Sequence, residues 1–219
     1  CEEMPLLLDT YAADHRSLSI YYSVQTAPET LARFNQLSEE YLQRLEQLDF
    51  DALPQECKVD YILFKRNLEE RIRENQVMTR ETEKLNSYFP FAEKVYAFAK
   101  TRRQGGEIDA KALALEMEAM TKNIVELDKQ LEADDQLELT SIYMARTLLS
   151  DMRKALGNSF EFYNGYDPLF TWWVPVPYKN LDSILKSYAG SFDNKLLSPG
   201  FLMDNSGIVG KPIGREALL

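Results

Sequence analysis

The sequence predicts an all-α fold, an antiparallel assembly of long helices with short connections. Three observations predict it. Apolar residues recur at spacings of three and four through the first three quarters of the chain. No segment shows the period-two alternation of a half-buried strand. Proline and glycine stand at the ends of the periodic segments. An aromatic connection and a glycine-rich C-terminal loop complete the predicted architecture.

Two long helices are predicted first. One covers residues 29–48, because Pro28 and Glu29 suit a first helical turn. Its apolar face consists of Leu31, Phe34, Leu37, Tyr41, Leu42, Leu45 and Leu48. The second covers residues 55–85, after the break at 51–54, and its apolar positions are Cys57, Tyr61, Phe64, Leu68 and Ile72.

Four further helices follow. A short one is predicted at 91–103, ended by a pair of glycines. The clearest pattern lies at 110–133, where Asp109 is a good N-cap and the apolar spacings alternate between four and three. Helices are also predicted at 137–160 and 177–197.

These patterns divide the chain into three regions. Residues 1–27 form an N-terminal segment, 28–197 the helical domain, and 198–219 a loop with the start of a helix. Because that last helix stops within about its first turn, we expect the chain to be part of a longer protein. The alternative is that the short helix docks on the helical domain.

The charge of the chain bears on its partners. Thirty-five acidic and 25 basic residues give a net charge of −10. A surface this negative repels phosphate backbones, so nucleic acid is not expected as a partner. No apolar run reaches the eighteen or so residues that span a membrane.

The two cysteines favour a cell-envelope protein. Cys1 followed by two glutamates resembles the mature end of a bacterial lipoprotein, whose cysteine carries the lipid. The alternative is an arbitrary first residue. If Cys1 is lipidated, Cys57 is unpaired, and we predict a buried, reduced thiol there. The expected location is the periplasm or outer membrane, with membrane contact only through the lipid.

The sequence offers little for catalysis. His15 is the sole histidine, so a metal-binding histidine pair is impossible, and a surface or capping role is expected for it. Carboxylates are plentiful but lack the spacing of a calcium loop. We therefore predict no catalytic, cofactor-binding or metal-binding residue and no cofactor in this chain.

A dense aromatic run is the strongest candidate for a site. Eight aromatic residues lie between Phe160 and Tyr178. They are interpreted either as a plug beneath a long loop, or as a surface for a sugar, a peptide or a protein partner. The candidate residues of that junction or ligand surface are Tyr166, Trp172, Trp173, Tyr178 and Arg215.

Three segments carry a resemblance to a known family. FYNGYDPLFTWWVPVPY (162–178), GIVGKPIGREALL (207–219) and, in pattern, residues 45–69 resemble a bacterial family catalogued as domain of unknown function 885. Its members resemble zinc metallopeptidases, whose H-E-x-x-H helix would lie downstream of these segments. The resemblance thus implies a metallopeptidase as the full-length protein, and none of its catalytic residues maps onto this chain.

Three functions stay open. The resemblance implies a non-catalytic N-terminal helical part that helps to shape a peptide-binding cleft. Its partner would be a C-terminal catalytic region, in the same polypeptide or another protein, and its substrate a peptide. The alternative is a lipid-anchored helical module that binds a peptide, a glycan or an outer-membrane partner. The third is a purely structural scaffold.

Overall fold

A computed structural model describes residues 3–134 and 137–196, and every regular element within these ranges is a helix. The predicted all-α fold is confirmed. The helices are α1 (Glu3–Tyr21), α2 (Pro28–Glu46), α3 (Gln55–Glu83), α4 (Ala92–Gln104), α5 (Ala110–Ala133), α6 (Leu139–Tyr163), α7 (Pro168–Trp173) and α8 (Pro175–Leu196). Within the same ranges, no helix is long and apolar enough to cross a membrane.

The chain divides into two compact units, Cys1–Glu81 and Thr82–Leu219. The first unit includes α1, which lies inside the segment that the sequence placed before the helical domain. That helix was missed because three of its apolar residues are consecutive, at positions 6–8, instead of recurring every three or four positions. Met4 and Tyr11 nevertheless share one face, two turns apart, and are both buried.

The core of the first unit is built around three aromatic rings. Tyr11 packs edge-on against Tyr41 and Phe64, with ring centroids 5.1 Å apart in both cases. Aliphatic side chains from all three helices surround these rings, including Met4, Leu37, Leu45 and Leu68. The Tyr41 hydroxyl donates a 2.6 Å hydrogen bond to Asp14 Oδ2, so this buried ring carries its polar atom to a carboxylate.

Cys57 corrects one prediction. It is buried in the first turn of α3, as its place in the apolar pattern indicated, but it is disulfide-bonded and not a reduced thiol. The periodicity of a helix locates a side chain on a face and gives no information on what its sulfur bonds to. Cys1, the other cysteine of the sequence, lies outside the described residues.

α8 is the central helix of the second unit, with α5 and α6 packed against it. Its inward residues Leu181, Leu185, Tyr188 and Phe192 are all fully buried. α5 begins where Asp109 accepts a 3.0 Å hydrogen bond from the Ala112 backbone N–H, which confirms the predicted N-cap.

α7 was not predicted, and α8 begins two residues earlier than expected. The prolines of this connection were interpreted only as fixing its path. Pro168 and Pro175 instead open α7 and α8, where the absence of an N–H costs no intrahelical hydrogen bond. The predicted loop and truncated helix at 198–219 lie outside the described residues.

Candidate functional site: the exposed aromatic surface around α7

The aromatic run between α6 and α8 has an inner face that packs as a plug. Phe170 is fully buried and Tyr163 nearly so. Both rings pack against Phe98 of α4, at centroid distances of 6.3 Å and 6.2 Å. This half of the run fits the interpretation of an aromatic plug.

The other face of the run is exposed, with six large apolar side chains open to solvent. Their exposed fractions are Phe162 55%, Tyr166 84%, Leu169 66%, Trp172 80%, Trp173 41% and Val176 70%. We call these six residues the α7 surface. Scattered exposed hydrophobic residues are ordinary, but six of them within fifteen positions make this stretch a candidate interaction site.

The phase of α7 sets which side chains face outward. At 3.6 residues per turn, each step rotates the side chain by about 100°. Phe170 points into the core, so Trp172, two positions later, projects about 200° away on the opposite side. One buried phenylalanine therefore fixes the exposure of the tryptophan.

Polar groups hold α7 in this phase. Asp167 Oδ1 accepts hydrogen bonds from the backbone N–H groups of Leu169 at 2.9 Å and Phe170 at 3.1 Å. The Thr171 hydroxyl donates to the Asp167 carbonyl and accepts from the Gly165 N–H, both at 2.8 Å. Gly165 has φ +86°, a conformation that L side chains rarely adopt.

Two cations lie at the margin of the α7 surface. Lys111 Nζ is 5.4 Å from the centroid of the Trp173 ring, and the Arg102 guanidinium is 5.8 Å from that of Phe162. Within residues 3–134 and 137–196, neither cation has a carboxylate ion pair. The site is therefore an apolar centre with positive charge beside it, in a chain that is acidic as a whole.

Tyr178 has a different setting. It is half-buried, stacks on Phe160 at a centroid distance of 4.0 Å, and lines a groove between α6 and α8 of about 750 Å³. Burial, followed by the negative charge of Asp182, raises the pKa of its hydroxyl. In the groove, Asp182 accepts two hydrogen bonds from Arg153, at 2.8 Å and 3.1 Å.

Of the candidate residues, Tyr166, Trp172 and Trp173 are exposed within one short stretch of the chain, and Tyr178 lines the groove. Arg215 and Cys1 lie outside the described residues. Four members or neighbours of the surface were not singled out from the sequence, Arg102, Lys111, Leu169 and Val176, and Phe162 was counted only as part of the aromatic run. The helical phase relative to Phe170 would have indicated Leu169, but only once α7 itself was recognised.

The chain matches no protein-family model, no curated protein and no solved structure. In the part of the chain that the structure describes, no group of three or more His, Cys, Asp or Glu side chains is placed to hold a metal ion.

Proposed function

We propose that this chain is the non-catalytic N-terminal helical part of a cell-envelope protein resembling a zinc metallopeptidase. In this proposal the α7 surface docks against a C-terminal catalytic region and helps to shape a peptide-binding cleft. The observation that carries the proposal is the exposure of Trp172, 80% open to solvent at the centre of an apolar segment.

The free energy of apolar burial favours a partner that covers this surface. Removing one large apolar side chain from water contributes about 1.5–3 kcal/mol, so six of them form a strong basis for association. Lys111 and Arg102 at the margin favour a partner with acidic groups around an apolar centre.

The family resemblance supports the same surface. All six of its residues fall inside the segment 162–178, which carries one of the two long motifs. An internal junction would require the exposed side chains of this segment as well as its buried ones, and the resemblance to the family includes both.

Side-chain footprinting tests the proposal. Hydroxyl-radical labelling of Trp172 is measured in the 219-residue chain and in the product of the full natural reading frame. We expect Trp172 to be labelled at least about fivefold less in the longer protein, because the junction excludes water. Ile62, 56% exposed in the first unit, is the internal control. Equal labelling in both proteins, or a reading frame that stops at Leu219, would contradict the proposal.

A second function is favoured by the chemistry of the same surface. Flat aromatic faces beside cations suit the stacking of a sugar ring or of a peptide. A lipid-anchored module would then bind an outer-membrane partner, a glycan or a peptide. Calorimetric titration of soluble oligosaccharides and unstructured peptides into wild-type and Trp172→Ala protein separates the two functions. Only the binding module predicts heat that the variant loses.

A further inference from the structure

The first unit contains a small polar pocket far along the chain from the α7 surface. Its volume is about 240 Å³, and α1, α2 and α3 all contribute to it. Its polar lining includes Tyr11, His15, Ser38 and Arg71, and Phe34 lies among its apolar residues. A cavity of this size exceeds one water molecule several times over and is smaller than a site for a drug-sized ligand.

Arg71 brings a positive charge that the protein leaves unneutralised. Its Nε donates to Asn67 Oδ1 at 3.2 Å, and its Nη1 lies 3.1 Å from His15 Nε2. It forms no ion pair with any residue in the described ranges, although Glu74 lines the same pocket. The partners of this arginine are therefore neutral, in a chain of net charge −10.

The contact with Arg71 defines the state of His15. A guanidinium has donors only, so His15 Nε2 must accept and cannot carry a proton. The remaining ring proton is then on Nδ1, which lies 3.4 Å from the Ser19 hydroxyl oxygen. His15 therefore adds no charge, and the pocket keeps the positive charge of Arg71. His15 lies inside α1 and not at its end, which excludes the expected capping role, and its side chain is half-buried.

A buried hydroxyl also lacks an acceptor. Tyr11 is 8% exposed, and its hydroxyl oxygen has no hydrogen-bond partner of normal geometry among the described residues. Ser38, itself 2% exposed, lies beside it. Buried hydroxyls are ordinarily hydrogen-bonded, so the Tyr11 hydroxyl is available to donate to a group bound in the pocket.

We propose that this pocket binds the carboxylate of a small organic acid with an apolar body. Arg71 supplies the counter-charge, the Tyr11 and Ser38 hydroxyls are donors, and Phe34 contacts the apolar part. The fork of a guanidinium matches the two oxygens of a carboxylate. A single arginine, with Glu74 in the lining, suits a monoanion better than a phosphate dianion. This inference is independent of the proposed function and involves the other unit.

Binding of phenylacetate tests the pocket, with phenylacetamide as the uncharged control of the same shape. Calorimetry or NMR titration of the 219-residue chain should show saturable binding of the acid and at least about tenfold weaker binding of the amide. Arg71→Gln should weaken the acid to the level of the amide. Arg66→Gln, an exposed position on the same helix, should leave binding unchanged.

The second variant is Tyr11→Phe, which keeps the core ring and should weaken the acid several-fold. A free acid and the C-terminus of a peptide present the same group, so an N-acetyl dipeptide ending in phenylalanine, free or amidated, is titrated as well. Binding of the dipeptide acid alone identifies a peptide end as the source. Equal affinity for acid and amide, full binding by the folded Arg71→Gln variant, or no binding of any carboxylate overturns the proposal.

Discussion

His15 shows how one hydrogen bond fixes the ionisation of a side chain. Arg71 donates to its Nε2, and a proton at that atom would place donor against donor. Burial, and after it the charge of Arg71, lowers the pKa of His15 below its ordinary value of 6.5. The neutral imidazole is therefore part of the folded state of the first unit.

This shift predicts a loss of stability in mild acid. As the pH falls below about 6.5, the unfolded chain takes up the histidine proton before the folded chain does, which favours unfolding. The loss begins near the unfolded pKa and is complete once the pH is below the lower, folded one. Urea denaturation at pH 7.5 and 5.5 should show a larger loss for wild type than for His15→Gln. An identical loss in both proteins would contradict the assignment, because carboxylate titration is common to them.

Tyr41 offers a second test at a single residue. Burial, followed by the hydrogen bond to Asp14, raises the pKa of its hydroxyl to about 12. Tyr41→Phe removes that bond and should lower the free energy of unfolding by about 1–2 kcal/mol. The loss stays within this range because water can hydrate the freed Asp14 carboxylate. Tyr61→Phe, at a partly exposed ring, is the control for denaturant experiments and should change it by less than about 0.5 kcal/mol.

At the scale of the element, the short helix α7 determines which residues of the aromatic run are exposed. α7 has six residues, too few to be stable as an isolated helix, and it depends on its cap and on the buried Phe170. Its cap and its anchor together determine how the aromatic run divides into a buried face and an exposed face.

The cap can be removed without touching the aromatic residues. Asp167→Ala deprives the Leu169 and Phe170 N–H groups of their acceptor and should destabilise α7 by about 1 kcal/mol. Amide hydrogen exchange should speed up about fivefold at these two positions. Asp109→Ala, which removes the cap of α5, is the matched control and should act on the first turn of that helix. Unchanged exchange at 169 and 170 would show that the cap does not hold α7.

Helix periodicity predicted most of the elements and could not predict the sites. The interval 110–133 matches α5 because its apolar positions recur without interruption, and Asp109 caps it as expected. The division of the aromatic run into a buried and an exposed face depends on the phase of α7, and the apolar pattern of the sequence did not predict that helix. The contact of His15 with Arg71 joins residues 56 positions apart on different helices, and no local pattern encodes such a contact.

At the scale of the whole molecule, the two cysteines allow two alternative chemical states, a lipid on Cys1 or a disulfide between Cys1 and Cys57. The sequence has two cysteines, and Cys57 is disulfide-bonded. A lipid on Cys1 would occupy the sulfur of that residue in a thioether. Lipid attachment and a disulfide between these two cysteines of one chain therefore exclude each other.

Fractionation of the native protein distinguishes these states. If Cys1 is lipidated, the protein should sediment with membranes and Cys1→Ala should release it, because anionic lipid repels a chain of net charge −10. Intact-mass measurement with and without reductant reports the disulfide on the same sample. Native protein that is wholly soluble and carries an unmodified first residue would rule out the lipoprotein proposal.

The position of the tryptophans has an optical consequence. The chain contains two of them, and both belong to the α7 surface. Both indoles are therefore exposed to solvent in the folded protein, and their emission should already be red-shifted. We expect this emission to change little when the two units unfold. Tyrosine absorbance or circular dichroism must report unfolding instead. A blue shift of the indole emission would then indicate that a bound partner or ligand covers the α7 surface.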